Sequence, residues 1–167
     1  MVAANDISLE AIWNILKDIP DPEVPVLSVL DLGIVRNVLL NEDEVEVVIT
    51  PTYTGCPAMD VIRMSIRMAL LEKSFKNVKV TTALSPAWTT DWMSEEGKQK
   101  LKAYGIAPPN PRQQVCSNDL FASQEVVQCP QCNSYHTHRI SEFGSTACKA
   151  LYQCDDCKEP FDYFKCH

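Results

Sequence analysis

The first half of the chain switches between two spacings of apolar residues. Apolar residues recur at helical spacing over residues 8–18 and 58–74, which predicts two amphipathic helices. Runs of apolar and β-branched residues at 34–40, 45–50 and 78–84 predict three strands. The order helix, strand, strand, helix, strand predicts a small two-layer α/β (α+β) domain with a mixed sheet.

The second of these helices is expected to bury one stripe of side chains. The expected core face comprises Ala58, Val61, Ile62, Ser65, Met68 and Ala69. Its expected solvent face carries Arg63, Arg67 and Lys73, and its apolar arc is widened by Met64, Leu71 and Phe75. Methionines at this spacing indicate core filling rather than a cofactor site.

The residue composition then changes along the second half of the chain, which predicts two modules. A charged helix is predicted over residues 94–104, ended by Gly105 and by two prolines beyond it. The first domain is therefore expected to span residues 1–108. A linker rich in proline and glutamine is predicted over 109–125, and a cysteine-rich module over 126–167.

The turn before the second helix carries a single thiol, Cys56. Gly55 permits a tight turn, and Pro57 suits the first helical position, where no amide hydrogen is needed. Because a helix start favours negative charge, this position predicts a lowered pKa and a thiolate that acts as nucleophile or metal ligand. A small buried hydrophobic residue is the alternative interpretation.

An earlier loop, residues 21–25, holds two acids between prolines. The prolines exclude helix and keep the loop extended, which leaves Asp21 and Glu23 as candidate functional carboxylates. The alternative is an ordinary solvated turn in which Asp21 caps the next short segment.

The cysteine-rich end carries the strongest local signal. Two C-x-x-C pairs, Cys129 with Cys132 and Cys154 with Cys157, are separated by 21 residues. This spacing predicts a closed tetrahedral structural site, with zinc favoured and a redox-active iron still open. Other side chains could replace a ligand or simply surround the ribbon: His136, His138, Cys148, Cys166 and His167. Cys148 and Cys166 could also share a second ion, whereas Cys116 in the linker is expected to be incidental.

Aromatic residues and charge limit the partners of this protein. The aromatic residues of the last module, Tyr152, Phe161, Tyr163 and Phe164, suit either a protein interface or a small core. A net charge of -7 and a pI of about 4.9 disfavour nucleic acid and anionic membranes. With no secretion signal and no membrane span in the sequence, we expect a cytoplasmic protein whose eight cysteines stay reduced.

Three motifs resemble one known family. Residues 21–28, which contain Asp-Pro-Glu, residues 31–36 and residues 50–58, which contain Thr-Gly-Cys-Pro-Ala, resemble the small α/β domain of iron-sulfur cluster maturation factors, a family that includes the bacterial SufT protein. Further motifs at 86–93, 104–106, 143–152 and 159–166 resemble one subgroup, the PaaD (PaaJ) proteins of phenylacetate degradation.

The resemblance implies a non-catalytic accessory role. It implies assembly or delivery of the cluster of the iron-sulfur reductase that serves the phenylacetyl-CoA epoxidase, with the oxygenase component as a second partner. Cys56 matches the reactive cysteine of the family, and Asp21 and Glu23 match its acidic motif. Thr54 and the threonines before it are placed to donate hydrogen bonds to sulfur. An enzyme is disfavoured because no histidine precedes His136 to activate Cys56.

Two further hypotheses stay open beside the maturation factor. The chain is alternatively a stoichiometric structural or coupling component of the phenylacetyl-CoA monooxygenase complex, whereas a nucleic-acid-binding ribbon is disfavoured by charge. A homodimer that shares Cys56 across a two-fold axis would suit a bridged cluster.

Overall fold

The computed structural model describes residues 8–41, 44–109 and 126–165. The chain divides into two compact units between Trp88 and Thr89. Each unit has its own sheet and its own buried core, so the two are described separately.

The first unit is a mixed three-stranded sheet with two helices. Its elements, in chain order, are α1 (Leu9–Lys17), β1 (Val35–Leu40), β2 (Glu44–Ile49), α2 (Ala58–Glu72) and β3 (Asn77–Thr82). The strand order is β1-β2-β3, with β1 antiparallel and β3 parallel to the central β2. The predicted element order and the mixed α/β sheet are therefore confirmed.

The alternation of buried and half-buried residues along the central strand β2 explains how the helices and the sheet form two layers. Val45, Val47 and Ile49 of β2 are buried, and the residues between them are half-buried. Because side chains of a strand point alternately to the two faces, one face of β2 supplies the core. The helices cover it: α1 contacts β1 and α2, and α2 contacts β3.

The buried face of α2 differs from the predicted one. Ala58 and Ile62 are buried as expected, but Val61 and Met68 are more than half exposed. The core face is instead made by Ala58, Met59, Ile62, Ile66 and Leu70. Because apolar residues occur on two sides of this helix, the spacing alone did not identify the side that the sheet covers.

The second unit contains a four-stranded sheet. After a single 3₁₀ turn (Thr90–Trp92), its elements are α3 (Glu95–Tyr104), β4 (Ile106–Ala107), β5 (Thr137–Ser141), β6 (Lys149–Cys154) and β7 (Pro160–Phe164). The order is β4-β7-β6-β5, in which β6 is antiparallel to both neighbours and β4 is parallel to β7. Gly105 ends α3 in a left-handed conformation, φ 91°, as the sequence predicts.

The predicted domain boundary at residue 108 lies inside this second unit. Ile106 and Ala107 pair with Asp162 and Tyr163 of β7, so the segment from Thr89 through β4 groups with the cysteine-rich sheet. A strand of two residues carries too little pattern to reveal such a pairing in the sequence. The predicted linker falls almost wholly on residues 110–125, outside the described part of the chain.

Aromatic residues fill the core of the second unit. Tyr152 stacks on Phe161 with ring centroids 6.0 Å apart, and it meets Tyr163 edge to face at 5.5 Å. All three rings and Phe164 are buried, so these aromatics form a small core rather than an exposed interface. Over the described ranges, none of the helices has the length and apolar character needed to cross a membrane.

Candidate metal-binding sites

Four cysteine sulfurs meet at one end of the second sheet. The Sγ atoms of Cys129, Cys132, Cys154 and Cys157 all lie within 4.8 Å of one another. Cys129 Sγ is 3.8 Å from Cys157 Sγ, and Cys132 Sγ is 3.5 Å from Cys154 Sγ. A tetrahedral zinc with bonds of about 2.3 Å separates its sulfur ligands by about 3.8 Å. The donor set and its spacing therefore fit a four-coordinate Zn²⁺.

The first pair of candidate ligands, Cys129 and Cys132, lies on a tight turn. The N–H of Cys129 donates to Ser134 O over 2.8 Å, and the N–H of Asn133 donates back to Cys129 O over 3.0 Å. Asn133 adopts a left-handed conformation, φ 61°, which turns the backbone after Cys132. The Gln128 amide nitrogen closes the turn by donating to Asn133 O over 3.0 Å.

The second pair repeats this turn residue by residue. The N–H of Cys154 donates to Glu159 O over 3.1 Å, and the N–H of Lys158 donates to Cys154 O over 3.0 Å. Lys158 is left-handed, φ 65°, after Cys157, and Gln153 donates to Lys158 O over 3.1 Å. The two knuckles thus share one glutamine-capped design, which the sequence shows only as Gln-Cys-x-x-Cys repeated.

Electrostatics at the cluster favour a cation. Backbone N–H groups of Cys157 and Asp156 donate to sulfur and lower the pKa of Cys154 to about 7. Glu159 N–H acts in the same direction on Cys157, but loss of water and the neighbouring thiols raise the pKa of Cys157 to about 12. Four sulfurs this close therefore ionise together only when a positive ion lies among them.

The two histidines near the cluster pair with acids instead of joining the cysteines. His136 Nδ1 lies 3.3 Å from Asp156 Oδ1, and Ser134 Oγ donates to the same carboxylate. The Ser134 hydrogen bond and His136 lower the pKa of Asp156. His138 Nδ1 lies 3.0 Å from Asp155 Oδ1. Asp155 and Asp156 lie inside the second knuckle, so these pairs brace its turn.

The remaining cysteines fall into two groups. Cys148 is buried on the way into β6, with its sulfur 3.0 Å from Thr146 Oγ1, and it is outside the group of metal-ligating atoms found in the described ranges. Cys116, Cys166 and His167 lie outside the described residues, so the predicted second ion at Cys148 and Cys166 stays a prediction.

In the first unit, Cys56 occupies the turn between β2 and α2. Gly55 has φ 85°, a left-handed conformation that favours glycine, and the N–H of Cys56 donates to Tyr53 O over 3.2 Å. The helix begins at Ala58, as predicted, but Pro57 is its N-cap rather than its first helical residue. Cys56 therefore lies just before the N-terminus of α2 and is half-buried.

The pKa of Cys56 shifts in the direction opposite to the predicted one. Burial raises it, which outweighs the hydrogen bond from the Ala58 N–H that the helix start provides. The negative charge of Glu23 raises it further, while hydrogen bonds with Tyr53 and Thr52 lower it. Cys56 is thus a protonated thiol at neutral pH in the metal-free protein.

The two acids of the early loop have different surroundings. Asp21 is 6% exposed, and its Oδ1 accepts the N–H groups of Glu23 (2.9 Å) and Val24 (2.8 Å). Asp21 thus caps its own turn, which is the structural alternative raised by the sequence. Glu23 is the acid whose negative charge acts on the pKa of Cys56, so these two predicted residues interact electrostatically in the fold.

The hydrogen-bonding partners of the thiol were only partly anticipated. Thr54 is exposed, and Thr52 and Tyr53 are the side chains that hydrogen-bond to Cys56. The sequence analysis considered only the alternating threonines before Cys56, because a tyrosine at position 53 carries no distinct signal of a contact with the thiol. Asp31 of the second motif is structural: its carboxylate accepts both the N–H and the hydroxyl of Ser28 at 3.0 Å.

Together with two family matches, these features define the class of protein: an iron-sulfur cluster assembly domain joined to a metal-binding β-ribbon. Residues 9–84 match the family described as iron-sulfur cluster assembly protein, and residues 113–165 match the PaaD zinc beta ribbon domain. A putative 1,2-phenylacetyl-CoA epoxidase component of Escherichia coli K12 is 52% identical over 155 residues, which cover 93% of this chain and 91% of that protein. The chain therefore belongs to the PaaD family of phenylacetyl-CoA epoxidase proteins.

Other similarities concern the first unit. The chain is 40% identical over 94 residues to an Fe-S protein maturation auxiliary factor of Porphyromonas gingivalis, covering 55% of this chain and 89% of that one. A conserved hypothetical protein of Thermotoga maritima has a similar structure, with a TM-score of 0.51, 29% identity, and coverage of 59% of this chain and 98% of that one. A domain of unknown function from Bacillus anthracis shares the fold, with a TM-score of 0.52, 24% identity, and coverage of 55% and 89%.

Proposed function

We propose that this chain is a non-catalytic accessory factor of phenylacetate catabolism. In this proposal it assembles or delivers the iron-sulfur cluster of the reductase component of phenylacetyl-CoA epoxidase, working in the cytoplasm, where its thiols stay reduced. The observation that carries the proposal is the setting of Cys56, a half-buried thiol at a helix start beside the charge of Glu23.

This setting suits a transient metal ligand better than a resting nucleophile. Burial and the charge of Glu23 together keep the proton on sulfur, and the same negative charge attracts an iron cation to the turn. Arrival of the cation displaces the proton, since metal binding requires the thiolate. The Ala58 N–H and the Tyr53 and Thr52 side chains then stabilise the negative sulfur. Release of iron to a client restores the protonated thiol.

The ribbon has a separate part in the proposal. Cys129, Cys132, Cys154 and Cys157 would hold Zn²⁺ in a closed site, where the ion supplies folding free energy rather than reactivity. The folded ribbon would dock the reductase. Its net acidic character, within a chain of charge -7, favours a protein client over nucleic acid.

The test is metal and sulfide content in protein purified without oxygen. Native protein, Cys56→Ser and Cys148→Ala are compared, the last as a matched loss of one thiol outside both sites. We expect one zinc per chain in all three, iron and acid-labile sulfide after reconstitution in native protein and Cys148→Ala only, and transfer of that cluster to reductase lacking its own. Equal iron binding and equal transfer by Cys56→Ser would contradict the proposal.

A second candidate function rests on the name of the Escherichia coli relative, which is that of an epoxidase component. In that case the chain would be a stoichiometric structural or coupling component of the monooxygenase complex. The two functions separate by co-purification. A complex component stays with the oxygenase in fixed ratio and tolerates Cys56→Ser, whereas a maturation factor associates transiently and does not tolerate it.

A further inference from the structure

Helix α2 carries apolar residues on two opposite sides. Its core face is buried under the sheet, but a second row of apolar side chains remains exposed: Val61 (52%), Met64 (60%), Met68 (51%) and Leu71 (38%). At 3.6 residues per turn, the centre of this row lies on the side of the helix opposite to Ile62 and Ile66. We refer to these four residues as the α2 stripe.

The spacing of the α2 stripe is that of a helix-helix seam. Scattered exposed apolar residues are ordinary on protein surfaces. The steps between these four residues, however, are three, four and three, which is the a-d-a-d pattern of a coiled coil. Val61 then occupies an a position and Leu71 a d position, the choice that favours two parallel strands. The two methionines between them have flexible side chains that adapt to a facing surface.

We infer that the α2 stripe pairs with the same stripe of a second copy of this chain, with the two helices parallel. A two-fold axis along the seam places each stripe residue opposite its own counterpart in the other copy. Such an isologous pairing uses one surface twice and closes as a dimer.

The charged residues beside the α2 stripe favour a parallel over an antiparallel arrangement of the two helices. Arg67 lies along one edge of the stripe and Glu72 along the other, and both side chains are exposed. In a parallel pair, a residue on the first edge meets the residue five positions later on the second edge of its partner. Arg67 of each copy therefore faces Glu72 of the other, which gives two ion pairs. An antiparallel pair centred on Ile66 would instead bring the two Arg67 side chains together.

The helix dipoles oppose this orientation only weakly. Parallel helices set like ends of their dipoles side by side, but helix dipoles act weakly at exposed ends and only within the terminal turns. The free energy gained from two Arg67–Glu72 ion pairs and from burying eight apolar side chains is larger than this dipole repulsion. The parallel orientation is therefore the favoured one.

The dimer has a consequence for Cys56. Parallel helices begin at the same end of the pair, with axes roughly 8–10 Å apart. Cys56 lies just before the start of α2, so both thiols lie at one end of the dimer. This placement agrees with the homodimer expected from the sequence, in which Cys56 of two copies bridges a cluster. The bridging rests on the proposed function, whereas the pairing of the helices does not.

The test is sedimentation equilibrium of the full chain, free of iron, over a wide concentration range. Native protein is expected to show a reversible monomer-dimer equilibrium. Met64→Glu should raise the dissociation constant at least about tenfold, because it places two like charges opposite each other in the seam. An equimolar mixture of Met64→Glu and Met64→Lys should regain dimerisation, since opposite charges then face each other.

A charge swap tests the orientation separately. Arg67→Glu and Glu72→Arg should each raise the dissociation constant roughly three- to tenfold, because each replaces two attractive pairs with two repulsive ones. The double variant Arg67→Glu/Glu72→Arg should return it to within about threefold of the native value. If the double variant dimerises as weakly as the single variants, the parallel orientation is rejected.

Controls separate the inference from general surface effects. Leu84→Lys charges another exposed apolar residue, 64% exposed and outside α2, and should leave the dissociation constant unchanged. Circular dichroism checks that every variant is folded. A native chain that stays monomeric overturns the inference, and a Met64→Glu variant that dimerises like native protein assigns dimerisation to another surface. Because the protein is free of iron, neither result depends on the proposed cluster chemistry.

Discussion

Loss of the ribbon metal should unfold the second unit and leave the first unit folded. The second unit builds its core from a small set of buried residues around Tyr152, Phe161 and Tyr163. Two of its core side chains, Cys129 and Cys154, belong to the four-cysteine cluster proposed to bind the metal. Units of this size supply at most about 3–5 kcal/mol from their own core. Structural zinc contributes about 10–16 kcal/mol in small domains. The metal contribution therefore exceeds the stability that the apolar core provides.

The assay compares Cys154→Ser with native protein, with and without a strong chelator. We expect the chelated protein and Cys154→Ser to lose near-ultraviolet circular dichroism from the packed tyrosines and to expose β6 to hydrogen exchange. The amides of β2 in the first unit should stay protected. Cys148→Ala, which keeps all four ligands, is the matched control and should retain zinc. A metal-free chain whose β6 amides remain protected would refute this reasoning.

Acid should release the metal in the same experiment. Zinc binds thiolates, so each ligand must lose its proton, and protons compete as the pH falls. The pKa of about 7 for Cys154 means that this ligand is substantially ionised at neutral pH before the metal arrives. Stability of the second unit should therefore fall steadily as the pH is lowered below 7 in the presence of limiting zinc.

Three further changes test single contacts. Glu23→Gln removes a negative charge that raises the pKa of Cys56, so the rate of thiol alkylation at pH 8 should increase, as mass spectrometry of Cys56 would measure. Asp162→Asn removes the partner of Lys149 Nζ (3.6 Å), whose side chain is 6% exposed, and should lower the free energy of unfolding by about 3 kcal/mol in denaturant titration. Gln153→Ala removes a hydrogen bond of the second knuckle and should cost about 1 kcal/mol and weaken zinc retention in a chelator competition.

Each of these changes has a matched control and a contrary outcome. Glu10→Gln removes an acid from α1 and should not alter alkylation of Cys56; an equal increase would mean that net charge, not Glu23, sets the reactivity. Glu142→Gln breaks an exposed pair with Arg139 and should cost less than about 1 kcal/mol. Gln128→Ala should match Gln153→Ala, because the knuckles share one design; unequal zinc retention would show that they do not.

The raised pKa of Cys56 determines the direction in which this residue changes the stability of the fold with pH. The pKa of Cys56 is higher in the folded protein than in the unfolded chain. The thiol therefore contributes stability at pH values below its pKa in the unfolded chain. That contribution is lost as the pH rises through its pKa in the folded protein. In protein that keeps its ribbon metal but is free of iron, the first unit should therefore lose stability at alkaline pH through this residue. Cys56→Ser should flatten that part of the profile, and an unchanged profile would remove Cys56 as its cause.

The sequence by itself determined the features that depend on near neighbours along the chain. The C-x-x-C pairs identified all four ribbon cysteines that the fold brings together, because two residues between cysteines allow a turn that presents both sulfurs to one ion. Apolar spacing predicted the order of elements in the first unit, and Gly105 marked the end of α3 because a left-handed residue ends a helix there.

Only the tertiary structure decided the features that depend on which distant surfaces meet. The sheet covers Ile66 rather than Met68, so one apolar side of α2 is buried and the other remains exposed. Residues 106 and 107 belong to the second unit because they pair with β7, more than 50 residues further along the chain. Burial and the charge of Glu23 reverse the pKa shift that the helix start alone predicts for Cys56, since desolvation depends on everything packed around the sulfur.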